Sequence, residues 1–170
     1  MEQLDIALLI GRIWAAVVIT AHGINHARTL DGTAQWFESK GFRQPRLNAR
    51  LSAYMELAVG AGLAVGLLTS VAAAALAATM FVAFWTIHRF AGFFVFHRPD
   101  EGYEYVTTVA VLALLLVILG PGSISLDDSL GIADDLDGWV GVGIYAAGLL
   151  GAVGQLAAFW RKPASGEASS

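Results

Sequence analysis

The chain has 170 residues, of which 56% are hydrophobic and 14% charged, with a formal net charge of −4. A soluble domain of this size carries about a quarter charged residues and under half apolar ones, and a disordered chain is more polar still, so both classes are excluded and an integral membrane protein is indicated. The chain holds no cysteine, which excludes disulfides, Cys-ligated zinc, iron–sulfur clusters and thiol chemistry within it, and without a basic tract nothing in the charge pattern fits a nucleic-acid partner.

The N-terminal residues Met1-Glu2-Gln3-Leu4-Asp5 carry two acids and no base, the opposite of a signal peptide's basic n-region. A first hydrophobic segment then covers residues 4–21. Between 22 and 50 the sequence is mixed, and Leu30, Ala34, Trp36 and Phe37 interleaved with Gln35, Glu38 and Ser39 predict a short interfacial helix near 33–40. Thr33 or Asp31 is the expected cap and Gly41 the expected stop. Second and third hydrophobic segments cover 51–68 and 71–87, separated by Thr69-Ser70, and so predict a tight antiparallel hairpin. The fourth covers 105–119, with Tyr103 and Tyr105 as interfacial anchors. The fifth, residues 139–160, is about 32 Å long as a helix, enough to cross a hydrocarbon core of about 30 Å. Because backbone amides cannot stay unpaired in lipid, each span is expected to be helical. The expected architecture is an all-α integral membrane protein: a four-helix bundle over 1–130, an acidic linker and fifth transmembrane helix over 131–160, and a disordered tail over 161–170.

Five spans divide the charges unequally. One face receives Arg28, Lys40, Arg43, Arg46, Arg50, Arg89, Arg98, Arg161 and Lys162, which is every Lys and Arg except Arg12, while the other carries Asp127, Asp128, Asp134, Asp135 and Asp137. The positive-inside rule then predicts a multi-pass protein of the plasma membrane, N-terminus outside and C-terminus cytoplasmic.

The residues able to carry chemistry gather at the basic end. His22 and His26 are four apart, hence on one side of a helix. Glu56 lies inside the second segment, His88 ends the third, and His97, Glu101 and Glu104 precede or open the fourth. Four helix ends thus bring His22, His26, Glu56, His88, Arg89, His97, Glu101 and Glu104 toward one level. Such a cluster suits a zinc, iron or manganese ion, a quinone headgroup, or a haem held by His22 or His26 with His88. It equally suits a wet interface at which histidines and glutamates pair with the nearby arginines. Glu56 is a carboxylate inside a span, and Arg12 is the one base inside a span, so an Arg12–Glu56 ion pair is expected, as a structural clamp or a proton relay. Small residues recur every four positions as Ala58, Gly62 and Gly66, read as a packing face within the bundle. Gly143, Ala147 and Gly151 repeat the pattern on the fifth segment, as a packing face or a partner-docking one.

Gly11-Arg12, His22-Gly23, Trp36-Phe37 with Gly41, Glu56-Leu57 with Gly60, and Gly66-Leu67-Leu68-Thr69 follow one another in an order that resembles the DoxX family of small membrane proteins. So do Glu101-Gly102-Tyr103-Glu104-Tyr105, Gly120-Pro121-Gly122 and Ser125-Leu126-Asp127, and the likeness covers roughly residues 8–130. The resemblance implies a DoxX-like four-helix membrane bundle and a redox setting, since members resemble a subunit of thiosulfate:quinone oxidoreductase and others are linked to oxidative-stress and thiol-homeostasis assemblies. It also implies that Glu56, Glu101, Tyr103 and Glu104 matter, together with His22. Ser70 and Ser123 stand where relatives commonly carry a base, and the acidic linker and fifth span lie beyond the usual pattern.

Without cysteine or a recognisable nucleotide or flavin fingerprint, the chain has no electron carrier of its own. The reading that follows is a lipid-embedded subunit or anchor of a redox assembly, bound to a redox-enzyme or respiratory-complex partner. It would be at most one subunit of an oxidoreductase, with quinone as the cofactor the polar cluster fits and His22, Glu56, His88, Glu101, Tyr103 and Glu104 as its candidate residues. The alternatives are a purely structural accessory subunit and a small-molecule permease, the latter without the internal inverted repeats that transporters often show.

Overall fold

The computed structural model describes residues 3–96 and 101–163, and these form helices joined by short turns. His97, Arg98 and the tail beyond 163 lie outside the described residues. The long helices are α1 (Gln3–Arg28), α3 (Pro45–Val65), α4 (Thr69–Thr86), α5 (Glu104–Leu119) and α8 (Gly138–Phe159), and the short ones are α2 (Leu30–Ser39), α6 (Leu126–Ser129) and α7 (Ala133–Leu136). Of these, α1, α4 and α8 are long and apolar enough to cross a membrane, and α5 is a shorter apolar helix of 16 residues.

Their boundaries follow local chemistry. Helix α1 runs a full turn and more past the expected end at 21, because nothing between Ala21 and Arg28 breaks a helix and Asp5 and Arg28 complement its dipole at either end. His22 and His26 are therefore inside a helix and not at its frayed end. Pro45 starts α3 in its first turn, where the missing N–H costs nothing. The α3–α4 hairpin turns at Gly66-Leu67-Leu68 and not at Thr69-Ser70, with Gly66 at φ 68° and Leu68 at φ 48°. Thr69 and Ser70 instead open α4, fully buried. Helix α2 begins after Thr29, which makes no side-chain cap, so neither Thr33 nor Asp31 serves as one. Gly41 at φ 91° does stop the chain after α2, and a Cβ there would strike the Arg161 carbonyl.

Helix α1 packs antiparallel to α3, and α4 packs against both α5 and α8. Ile19, Leu63, Leu76, Leu116 and Val117 are fully buried at the centre. The fifth hydrophobic segment is thus part of the bundle. Its own glycines divide the work: Gly148 lies against the Ala74 backbone and Gly141 against the Val117 carbonyl, whereas Gly143 and Gly151 have open space in front of them. Of the Ala58–Gly62–Gly66 stripe, Gly62 lies against Ala72 of α4 and Gly66 against Arg12 of α1. Ala58 is exposed, and the close approach of α1 and α3 is made at Gly60, where a Cβ would collide with Thr20, and at Gly23.

The two ends of the bundle are closed differently. At one, the Asp127 carboxylate accepts the Leu68 and Thr69 amide N–H groups at 2.6 and 2.8 Å, supplying the free amides of α4. At the other, the end of α8 is stitched to the α2–α3 connection: Trp160 Nε1 donates to the Lys40 carbonyl at 2.8 Å and Arg161 N to that of Gly41 at 2.9 Å. Arg89 lies on the face of Trp85, 3.9 Å from its centroid, and ties the end of α4 to this corner.

Candidate functional site: a polar-walled cavity in the bundle

Gly23 is where the site begins. A Cβ on it would sit 3.0 Å from the Glu56 Cβ and the Leu57 amide nitrogen, so any side chain there would press α3 and Glu56 away from α1. The carboxylate is 2% exposed. One turn earlier on α3, the Ser52 hydroxyl donates to Glu56 Oε1 at 2.5 Å. Three residues after Gly23 on α1, His26 Nδ1 stands 3.3 Å from Glu56 Oε2 and 3.4 Å from Ser52 Oγ. Glu56 Oε2 has no hydrogen-bond partner beyond that ionic approach. A buried carboxylate, a hydroxyl and an imidazole are thus in mutual contact, the kinds of group that general acid–base chemistry uses.

This trio forms one wall of a cavity of about 460 Å³. The apolar part of its lining includes Ile19, Phe37, Met80 and Val106, and the polar part includes His22, His88, Glu101, Tyr105 and Gln155. Tyr105 OH and His22 Nε2 are 3.4 Å apart with their rings stacked, centroids 6.1 Å apart. His88 Nδ1 is 2.6 Å from the Glu101 carbonyl, which anchors the turn after α4 to the segment before α5. Gln155 Nε2 donates to Asn48 Oδ1 at 3.2 Å and brings α8 into the wall. A concave, largely apolar chamber with a few convergent polar groups is the usual form of a small-molecule site.

The expected site residues divide into those the fold gathers and those it does not. His22, His26, Glu56, His88 and Glu101 line the cavity. Tyr103 packs edge-on against Phe84 and Phe93 and belongs to the bundle's packing. Glu104 lines an outer groove next to the cavity, and Arg89 is held in the aromatic corner. The Arg12–Glu56 pair does not form. The antiparallel register places Gly23 beside Glu56 and Arg12 beside Gly66, three turns away along α1. Arg12 instead donates from Nη2 to the Ile124 carbonyl at 2.5 Å and feels the charge of Asp127, so it is a clamp at the opposite end. Among the described residues, no group of three His, Asp or Glu is placed to hold a metal ion.

Ser52, Tyr105 and Gln155 line the site without being among its expected residues. Two of them carry a signal in the sequence: Ser52 is four before Glu56 on the same helix face, and Gln155 is the one amide in a 22-residue apolar helix. Tyr105 resembled an interfacial anchor and gave no sign of pointing inward.

Fold and site together define a small helical membrane protein with an internal, polar-walled chamber near one end. The DoxX family model matches residues 7–89, from α1 through the turn that follows α4, so this part of the chain is similar to the DoxX family. No curated protein and no solved structure matches it. His22, His26, Ser52, Glu56 and His88 lie within the matched segment, whereas Glu101, Tyr103, Glu104 and Tyr105 lie beyond it.

Proposed function

We propose that the chain is the membrane subunit of a redox assembly and binds a quinone headgroup in its cavity. The observation that carries this reading is the buried Glu56 carboxylate, held between Ser52 and His26 in the wall of a largely apolar chamber. A quinone fits such a chamber because a flat apolar ring suits its lining and two carbonyl oxygens suit its donors. When bound, it supplies two-electron chemistry, with the electrons coming from a partner oxidoreductase. In this chain, Tyr105 O–H and the His22 imidazole orient the headgroup, while Glu56 and His26 hold the proton that accompanies each electron, and Ser52 keeps Glu56 in place. His88, Glu101 and Gln155 complete the wall.

The membrane arrangement that goes with this reading has α1, α3, α4, α5 and α8 as five spans in the plasma membrane. The cavity then opens toward the basic end, placed in the cytoplasm by the positive-inside rule. The experiment is to purify the chain from its native membrane in lipid nanodiscs, extract bound quinone and measure rebinding of an added quinone. Retention near one per chain is expected. A chain that neither retains nor rebinds quinone overturns the reading.

A purely structural accessory role is favoured by a different observation: Gly143, Ala147 and Gly151 form an exposed stripe along α8 with open space at both glycines. A partner helix pressed there anchors an enzyme with or without a quinone in the chamber. Gly143→Leu with Gly151→Leu separates the two roles, because it blocks docking and leaves the cavity intact.

A further inference from the structure

A second concavity adjoins the cavity from outside. It is an open groove of about 890 Å³ between α1 and the start of α5, lined by Trp14, Val17, Val18 and Ala21 of α1 and by Phe93 and Val95 of the connecting segment. Trp14 is 63% exposed and Val17 53%, so the groove is on the outer surface of the bundle, where a spanning helix meets lipid tails. His22, Glu101 and Tyr105 line this groove and also line the inner cavity. The two spaces are therefore neighbours across a partition built from those three residues. The partition's one direct polar contact is Tyr105 OH to His22 Nε2 at 3.4 Å, longer than a well-formed hydrogen bond. Both rings turn about single bonds, so rotating either one parts it.

The backbone beside the partition is firmly set. Gly102, Tyr103 and Glu104 donate their amides to the carbonyls of Phe94, Gly92 and Phe93 at 3.0 to 3.1 Å. Phe93 is thus held in one bank of the groove, with α1 as the other.

We propose that this groove is the lateral entrance of the site, through which a lipid-soluble quinone passes from the bilayer with its isoprenoid tail lying along Trp14, Val17 and Val18. The inference rests on the quinone reading of the cavity. Its physical basis is that an isoprenoid tail is strongly disfavoured in water in proportion to its apolar area, so such a ligand needs an opening at tail depth. The groove provides one that ends on His22 and Tyr105, the side chains nearest the inner chamber. The tail stays in the groove while the headgroup lies against Glu56 and His26. The competing opening is at Leu51 and Met55, which line the cavity from α3 and are 49% and 38% exposed.

The absence of native cysteine allows the groove to be plugged after folding. Ala21→Cys and Met55→Cys are prepared separately in nanodiscs, each modified with benzyl methanethiosulfonate. Loading of a quinone with eight isoprenoid units from donor vesicles is followed by rapid filtration, with equilibrium binding of tail-less benzoquinone measured alongside. Plugging Ala21→Cys is expected to slow loading of the long-tailed quinone at least tenfold, with tail-less benzoquinone binding as before and the unmodified variant loading at the wild-type rate. Equal loading rates before and after modification, or slowing on Met55→Cys alone, overturn the lateral entrance while leaving quinone binding in place. A wild-type chain that binds neither compound strikes the quinone reading itself and the entrance with it.

Discussion

Glu56 and Arg12 are both almost fully buried, at 2% and 1% exposure, and in a membrane bundle each must be compensated from within the protein. Glu56 is compensated by Ser52 at one oxygen and by His26 at the other; Arg12 by the Ile124 carbonyl and the charge of Asp127. The two sites predict opposite mutant phenotypes. Glu56→Gln keeps an acceptor for Ser52 and the same volume, so quinone binding is expected to fall about tenfold, near 1.4 kcal/mol, with thermal unfolding in detergent little changed. Asp127→Ala removes two charge-assisted bonds to α4 and the counter-charge of Arg12. It is expected to cost about 3–5 kcal/mol, whereas Asp128→Ala, on an exposed position beside it, stays within about 0.5 kcal/mol. Asp137, just before α8, has its carboxyl pushed above the usual carboxylate range, first by partial burial and then by Asp134. An acid whose folded pKa is raised opposes folding when ionised, and that penalty is relieved as pH falls through the folded value. Asp137→Asn is therefore expected to stabilise the fold modestly at pH 7, with the gain fading toward pH ~4, as read by thermal unfolding across pH.

Among the elements, the α1–α3 pair determines the site, and two glycines determine the pair. Gly23 and Gly60 permit the close approach that puts Glu56 beside His26. Gly60→Val is expected to push against Thr20 and destabilise by about 1–3 kcal/mol, with a parallel loss of binding. Gly143→Val meets open space and is expected to leave unfolding unchanged. The hairpin before α4 teaches a related lesson. Thr69 and Ser70 have the composition of a turn, yet Gly66 and Leu68 carry the left-handed backbone, because Asp127 arrives from 58 residues away to supply the α4 amides and holds Thr69 inside the helix. The α8 glycines, alike in sequence, separate into inward contacts at Gly141 and Gly148 and outward space at Gly143 and Gly151.

For the whole molecule, charge and packing tell apart the two ends of the bundle. The basic residues gather where α1, α2, α4 and α8 end and α3 begins, beside the cavity, whereas Asp127, Asp128, Asp134, Asp135 and Asp137 lie in and around α6 and α7 with no base among them. Reporter fusions are expected to read outside after Ser129 and cytoplasmic after Lys162, and a cytoplasmic signal at Ser129 would invert the orientation. Membrane residence, the helical class, the DoxX likeness and the gathering of His22, His26, Glu56, His88 and Glu101 were legible in the sequence. Apolar runs long enough for a bilayer and the i, i+4 spacing of a helix are local properties, and neither depends on what a segment packs against. Which charge meets which is a matter of helix register, and register is decided by where two backbones can approach. Arg12 and Glu56 sit on neighbouring helices and still never meet, because the close approach at Gly23 and Gly60 sets α3 alongside α1 three turns out of step for that pair. The same approach gave Glu56 its histidine and its chamber, and no reading of either helix alone contains that distance.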